Sequence, residues 1–308
     1  MTDKLSVTVA GATFQNPIVL ASGTAGYGRE LDGVVALDRV GGIVTKAVSP
    51  EPRAGAPAPR VAEFEGGMLN AVGLANPGLA AVRAEYLPWL AAHLRRARVI
   101  ANVVGSTVED YGAVVAGLTE EPSVTAFELN VSCPNVRAGG MEFGADPASL
   151  KAVVREARAA TRRPVFVKLS PSLPDVATSA RRAVDAGADG ITVVNTLPGL
   201  VIDVERRRPV LGFGSGGVSG VGLLPVGVLA TWRVHRAVSV PIIGVGGVTR
   251  AEDVVQYLLA GASLVGVGTA AMRDPHLPER LVRDLDRWCA RHGVRSLTEL
   301  VGALEWPG

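Results

Sequence analysis

The chain has 308 residues, 48% of them hydrophobic, and a net charge of +2, enough apolar material for a large core in two domains or in one α/β barrel. Scattered basic residues and 5% aromatics argue against a nucleic-acid surface, and two distant cysteines argue against a disulfide framework, a zinc site or an iron–sulfur cluster. The cysteine usage points to a reducing, cytoplasmic setting; no h-region follows the opening "MTDKLS", and no apolar run reaches the roughly 20 residues that span a bilayer.

In chain order, "SVTVAGATF" (6–14) reads as a hairpin at the bottom of the fold. Eight short apolar, β-branched runs follow: "PIVLA" (17–21), "GGIVTK" (41–46), "RVIANV" (98–103), "VTAFELN" (124–130), "PVFVKL" (164–169), "DGITVVN" (189–195), "VPIIGVGG" (240–247) and "SLVGVG" (263–268). Near-continuous apolarity marks parallel strands buried on both faces. Helical patterns lie between them. "STVE" (106–109) and "TRAE" (249–252) read as capping boxes, a hydroxyl followed three residues later by Glu. Asp146 is placed to cap a helix with Pro147 at its first position, and Leu150, Val153, Val154 and Ala157 form its apolar face. "AGADG" (186–190) and "AGAS" (260–263) each place a glycine where a helix ends before a strand.

Repetition of one βα unit over 308 residues predicts an α/β fold, a TIM (β/α)8 barrel, as a single domain over 1–308. Two insertions decorate it, the Pro- and Gly-rich residues 47–80 and residues 196–224. Both follow strand C-terminal ends, so both belong over the C-terminal mouth, where loops carry function.

Polar residues recur at that same end. Ser22 follows the first strand, Lys46 ends the second, and Asn102 lies near the end of the third. Asn130 ends the fourth, Lys168 sits near the end of the fifth and Asn195 ends the sixth. Lys, Asn and Ser suit the core of a parallel sheet poorly, so six of them at equivalent positions mark a site rather than packing.

The last two strands indicate what the mouth binds. "GVGGVTR" and "GVGTAAM" turn from strand to helix through Gly246, Gly247, Gly268 and Thr269. The loops after strands 7 and 8 are the usual phosphate site of such barrels. "GFGSGG" (212–217) matches a dinucleotide fingerprint but opens no helix, and reads as a flexible glycine-rich loop.

His93, His235, His276 and His292 fall in helical segments away from the strand ends, and no His, Cys or carboxylate cluster has metal-ligand spacing. Cys289 sits on an apolar helix face with Leu281, Leu285 and Trp288 and reads as packing. Cys133 differs. It lies in a turn past a strand, before Pro134 and the glycine-rich "RAGGMEFG" (137–144), which reads as a lid. That makes it the reactive candidate, as a thiolate nucleophile or base.

These segments resemble class 1 dihydroorotate dehydrogenases, most closely class 1B catalytic subunits, over nearly the whole chain. The resemblance is carried by "NPIVLASGTAGYG" (16–28), "IVTKAVSPEPRAGAPAPRVAE" (43–63), "GMLNAVGLANPG" (67–78), "ELNVSCPNVRAGG" (128–140), "VKLSP" (167–171), "NTLPG" (195–199), "GGVSG" (216–220), "PIIGVGGV" (241–248) and "VGTA" (267–270), in family order. Cys133 where the membrane-bound class has Ser points to class 1, and "GG" followed by "FG" (139–144) favours class 1B over the fumarate-using class 1A.

The resemblance implies FMN, its phosphate against Gly246, Gly247, Gly268 and Thr269 and its ring lined by Ser22, Ala47, Asn102, Val194 and Gly220. Lys46 and Lys168 would touch the ring. Dihydroorotate would be held by Lys46, by Asn70, Ala71, Val72, Gly73 and Leu74, and by Asn195 and Thr196, with Asn130 serving flavin and substrate. Cys133 would take the C5 proton while C6 gives hydride to the flavin. A separate FAD and iron–sulfur subunit would pass the electrons to NAD, in a heterotetramer built on a homodimer of this chain. Two departures stand out: Ala25 replaces an aromatic near the first strand, and "VGLLP" (221–225) lacks a family lysine. Glu128 shares strand parity with Asn130 and Lys168 and calls for a cationic partner.

The competing readings are a class 1A enzyme, a dihydropyrimidine dehydrogenase separated by recognition of the substrate carboxylate, a non-redox phosphate-binding barrel without flavin, and a silent binding subunit. The Cys133, Lys46, Lys168 and Asn set argues against the last.

Overall fold

The computed structural model describes residues 3–132 and 143–307. The eight apolar runs form β1 (Ile18–Leu20), β2 (Gly42–Val44), β3 (Arg98–Val103), β4 (Val124–Asn130), β5 (Val165–Leu169), β6 (Gly190–Val193), β7 (Ile242–Val245) and β8 (Leu264–Val267). Each pairs in parallel with its neighbours in the chain, and β8 pairs with β1 to close the barrel. Every residue of β1, β2, β6 and β8 is buried, as near-continuous apolar runs require when both faces are covered. The fold is the expected (β/α)8 barrel.

The helices are α1 (Gly78–Ala81), α2 (Leu87–His93), α3 (Val108–Leu118), α4 (Pro147–Ala159), α5 (Val176–Asp185), α6 (Leu224–His235), α7 (Ala251–Leu259), α8 (Thr269–Arg273) and α9 (Leu277–Arg291). Asp146 caps α4 by accepting from Ser149 N–H, and Leu150, Val153, Val154 and Ala157 are its buried residues, as their spacing predicted. Removing one such core leucine side chain costs about 2–5 kcal/mol. Gly187 and Gly261 end α5 and α7 with φ of 112° and 109°.

Two caps start one residue later than the capping pattern implied. Thr107, not Ser106, caps α3, and the Asp110 carboxylate accepts from the Ser106 and Thr107 N–H groups. At α7 the Asp253 carboxylate accepts from Thr249 and Arg250 N–H. In both places an Asp follows the Glu of the pattern, and the shorter carboxylate is the one that reaches back.

The first βα unit also departs from the repeat. Between β1 and β2 there is no α-helix, only the 3₁₀ turns Arg29–Leu31 and Leu37–Arg39. Gly26, Gly28 and Gly33 hold positive φ there and interrupt a helix.

The N-terminal hairpin pairs Val7–Val9 with Ala12–Phe14. Phe14 is buried, and a Cβ on Gly42, at the start of β2, would lie 3.3 Å from its ring. Arg98, at the start of β3, donates from Nε to Thr13 O at 2.8 Å. The hairpin therefore closes the bottom.

Over the mouth the two insertions meet. Val61–Phe64 and Gly67–Asn70, from the first, join Gly216–Gly220 and Leu197–Gly199, from the second, in one antiparallel four-stranded sheet. Leu69, Ala71 and Leu211 form its own small core, with Phe64, Val210 and Val218 packed around it. This corrects the reading of 212–217 as a flexible loop: Gly216 and Gly217 are strand residues of the sheet.

Candidate active site

A cavity of about 900 Å³ opens between the barrel mouth and the four-stranded sheet, within the range of ligand pockets. Its floor is made by the strand ends. Ser22 lies just past β1, Lys46 and Ala47 just past β2, Asn102 within β3, Asn130 at the end of β4, Lys168 within β5 and Val194 and Asn195 just past β6. All of them line the cavity. Lys46 and Asn195 stand two residues beyond the ladder rather than ending it, since the backbone there already turns: Lys46 N donates to Gly26 O.

One side of the floor is a buried polar cluster. The Asn102 amide donates from Nδ2 to Glu128 Oε1 at 2.7 Å, and Lys168 Nζ stands 3.9 Å from the same oxygen. Lys168 also donates to Ser22 Oγ at 3.1 Å. Glu128 and Asn102 are 1% and 0% exposed, so the cationic partner that strand parity demanded for Glu128 is Lys168, with Asn102 beside it. Such a pair is weak evidence for stability, because desolvation offsets the attraction. Asn102 Oδ1 is buried with no partner. Lys46 is half-buried at the cavity wall and enters no salt bridge among the described residues.

The other side is a network of amides and hydroxyls. Asn195 Nδ2 donates to Ser132 Oγ at 2.7 Å and to Asn130 Oδ1 at 3.4 Å. Ser132 Oγ donates to Asn130 Oδ1 at 3.3 Å, and Asn195 Oδ1 accepts from Thr196 N–H at 2.9 Å. Tyr111, on α3, donates to Asn130 O and fixes the end of β4. Asn70, Ala71, Val72, Gly73 and Leu74 line the wall contributed by the first insertion. Asn70 Nδ2 donates to Gly217 O at 3.1 Å, locking that wall to the second insertion. Leu74 holds φ of 57°, a left-handed conformation uncommon outside glycine, of the kind that clusters at functional sites.

The glycine turns close the far end. Gly246 and Gly247 take φ of 133° and 71°, and Tyr257, on α7, donates to Gly246 O at 2.8 Å. A Cβ on Gly247 would stand 2.4 Å from Leu224 N, so the loop runs backbone against backbone. Gly268 precedes α8, whose Thr269 is hydrogen-bonded to Ser219 at 2.7 Å. Gly220, Gly246, Gly247, Gly268 and Thr269 all line the cavity.

The site therefore gathers every cofactor and substrate residue expected from the sequence except Cys133, which lies outside the described residues. Sequence reasoning missed Ser132, Ser219, Phe213 and Met272, which also line the cavity. Ser132 adjoins Cys133 and Ser219 lies in "GGVSG", while Phe213 and Met272 lie in "GFGSGG" and "GVGTAAM", stretches read for their glycines and not for these side chains. Among the described residues no three His, Cys, Asp or Glu gather as metal ligands, and no helix is long and apolar enough to cross a membrane.

Comparison with known proteins decides the family. The dihydroorotate dehydrogenase family model matches residues 4–288. The chain belongs to the dihydroorotate dehydrogenase family. Similar proteins include those named dihydroorotate dehydrogenase B (NAD(+)), catalytic subunit, from Pelobacter propionicus, Desulforudis audaxviator and Geobacter sp. (strain M21). The first is 47% identical over 99% of this chain and 100% of its own length. The second is 45% identical over 99% of both, and the third 44% identical over 98% of both.

The residues present fit a flavin mononucleotide. Asn102 Oδ1 is a buried acceptor awaiting a donor, two lysines supply positive charge, and the glycine turns leave backbone where side chains would fill the space.

Proposed function

We propose that the chain oxidises dihydroorotate to orotate as the FMN-bearing catalytic subunit of an NAD-linked dihydroorotate dehydrogenase, residues 1–308 acting as one barrel domain. The observation that carries this reading is the convergence of both glycine turns, both lysines and four asparagines on one cavity. The relatives' printed names supply the substrate, the NAD link and the word subunit.

Gly246, Gly247, Gly268 and Thr269 would hold the phosphate, and Ser22, Ala47, Asn102, Val194 and Gly220 the ring, with Lys46, Lys168 and Asn130 against it. Bound FMN supplies the acceptor for the hydride that leaves C6. The chain's own residues do the rest. Lys46, Asn70, Asn130, Asn195 and Thr196 orient the substrate, each Asn presenting one donor and one acceptor to a ring that carries both kinds of group. Ala71, Val72, Gly73 and Leu74 wall it off from water. The Cys133 thiolate takes the proton from C5, alpha to a carbonyl, as general base. Loss of that proton and of the C6 hydride leaves orotate, so atoms and electrons balance. Lysine charge at the ring favours its anionic reduced form. A separate FAD and iron–sulfur subunit then carries the electrons to NAD, two such subunits on a homodimer of this chain, in the cytoplasm.

The deciding experiment is the anaerobic visible spectrum of the purified chain before and after dihydroorotate, with dihydrouracil as control. Bleaching of a flavin band by dihydroorotate alone is the expected result. Bleaching by dihydrouracil instead would assign a dihydropyrimidine dehydrogenase, and the absence of flavin from folded, unstripped protein would overturn the reading. Fumarate reoxidising the chain without a partner would mark the class 1A alternative.

A further inference from the structure

Glu128 does not line the cavity, yet it touches two residues that do. Its carboxylate accepts the Asn102 amide at 2.7 Å and stands 3.9 Å from Lys168 Nζ. An ionised carboxylate has no proton to give, so it can meet only the NH₂ end of an amide. That settles which end of Asn102 is which: Nδ2 faces Glu128, and Oδ1 is left buried and unpartnered on a cavity-lining residue. The same carboxylate halves the net positive charge of the two cavity lysines, since Lys46 has no salt-bridge partner among the described residues.

We propose that Glu128 is a positioning residue for the flavin, holding Asn102 with its carbonyl oxygen presented to a ring N–H and restraining the charge of Lys168. The inference rests on the FMN reading above. Its consequence is electrostatic. Lysine charge near the ring favours the anionic reduced form, so a buried anion behind one lysine sets that preference lower than two unopposed lysines would. Burial leaves little solvent between these groups to screen the effect.

The test is spectroelectrochemical titration of the FMN-loaded chain in the wild type, Glu128→Gln and Glu128→Asp. Gln still accepts from Asn102 but carries no charge. The two-electron reduction equilibrium should move at least tenfold toward reduced flavin, ~30 mV for a two-electron couple. Asp keeps the charge one methylene further back and should regain at least half of that shift. A potential in Glu128→Gln equal to or below the wild type overturns the proposal, as does a shift in Glu128→Asp as large as in Glu128→Gln. Should Glu128→Gln not fold, Glu128→Ala takes its place, since it too removes the charge: a move toward reduced flavin supports the proposal, and a potential equal to or below the wild type overturns it. A purely structural role for Glu128 would lower flavin content or thermal stability and leave the potential of the bound fraction where it was. Wild-type protein that carries no flavin fails at the earlier step and overturns the FMN reading instead.

Discussion

Asn195 Nδ2 donates to Ser132 Oγ at 2.7 Å, tying the turn after β6 to the residue immediately before Cys133. Ser132 is buried, and its hydroxyl also reaches Asn130. One small side chain thus sets the relative positions of two amides. Ser132→Ala would leave Asn195 Nδ2 without its shortest partner, a loss of about 1 kcal/mol. The expected result is a roughly fivefold fall in kcat/KM for dihydroorotate with flavin content unchanged. Steady-state kinetics beside the flavin-to-protein absorbance ratio checks both parts.

Cys133→Ala removes the base assigned to the C5 proton. Turnover should fall by about 10²-fold or more while the flavin stays bound. Cys133→Ser should keep a residue of activity that rises with pH, because a hydroxyl gives up its proton far less readily than a thiol. Normal turnover in Cys133→Ala would falsify the assignment.

Thiol chemistry separates the two cysteines. Cys289 is fully buried in α9, and burial pushes its thiol above the ordinary value of 9.0. Native Cys133→Ala protein should therefore be inert to a thiol reagent and react only after unfolding. The sign for stability follows: folded Cys289 holds its proton more tightly than the unfolded chain does, so its contribution is complete below about pH 8.5 and is lost as pH rises.

Tyr257 extends that alkaline sensitivity to the glycine-turn end of the site. Burial, aided by the Asp253 charge, raises its hydroxyl well above the ordinary 10.0. Tyr27 is raised likewise, by burial first and then by Tyr86 and Glu30. Both contributions are whole below about pH 10 and are lost above it. Tyr257→Phe should flatten the alkaline limb of a melting-temperature profile. It should also loosen Gly246, whose carbonyl accepts the hydroxyl, and raise the FMN dissociation constant about three- to tenfold for a lost bond of roughly 1 kcal/mol.

Gly247→Ala tests the backbone of the same loop. The residue holds φ of 71°, and an added methyl would lie 2.4 Å from Leu224 N. Strain and clash together should cost about 1–3 kcal/mol and empty the site of flavin. Flavin content and thermal melting read the two effects separately.

The barrel was legible because parallel strands need unbroken apolar runs, and any Lys, Asn or Ser at their ends breaks that rule visibly. Lys46, Asn102, Asn130, Lys168 and Asn195 were found in this way, and the glycine turns after β7 and β8 by their pairing. The four-stranded sheet was not legible. Its strands are short, Gly216 and Gly217 oppose strand propensity, and Asn70 pairs with a residue 147 positions away. The partners of Glu128 were hidden for a related reason: parity told which way it faced, while only the register of β3, β4 and β5 brings Asn102 and Lys168 to it.

That roof sheet ties completion of the cavity to synthesis of the second insertion. A ribosome that has released residues up to 200 has made six of the eight barrel strands but lacks Gly216–Gly220, the strand on which both halves of the roof are hung. The nascent chain therefore exposes an open mouth, without its two glycine turns, until residues up to Thr269 have been synthesised. Under the proposed function, a complete flavin site exists only once residues up to Thr269 have been made and folded.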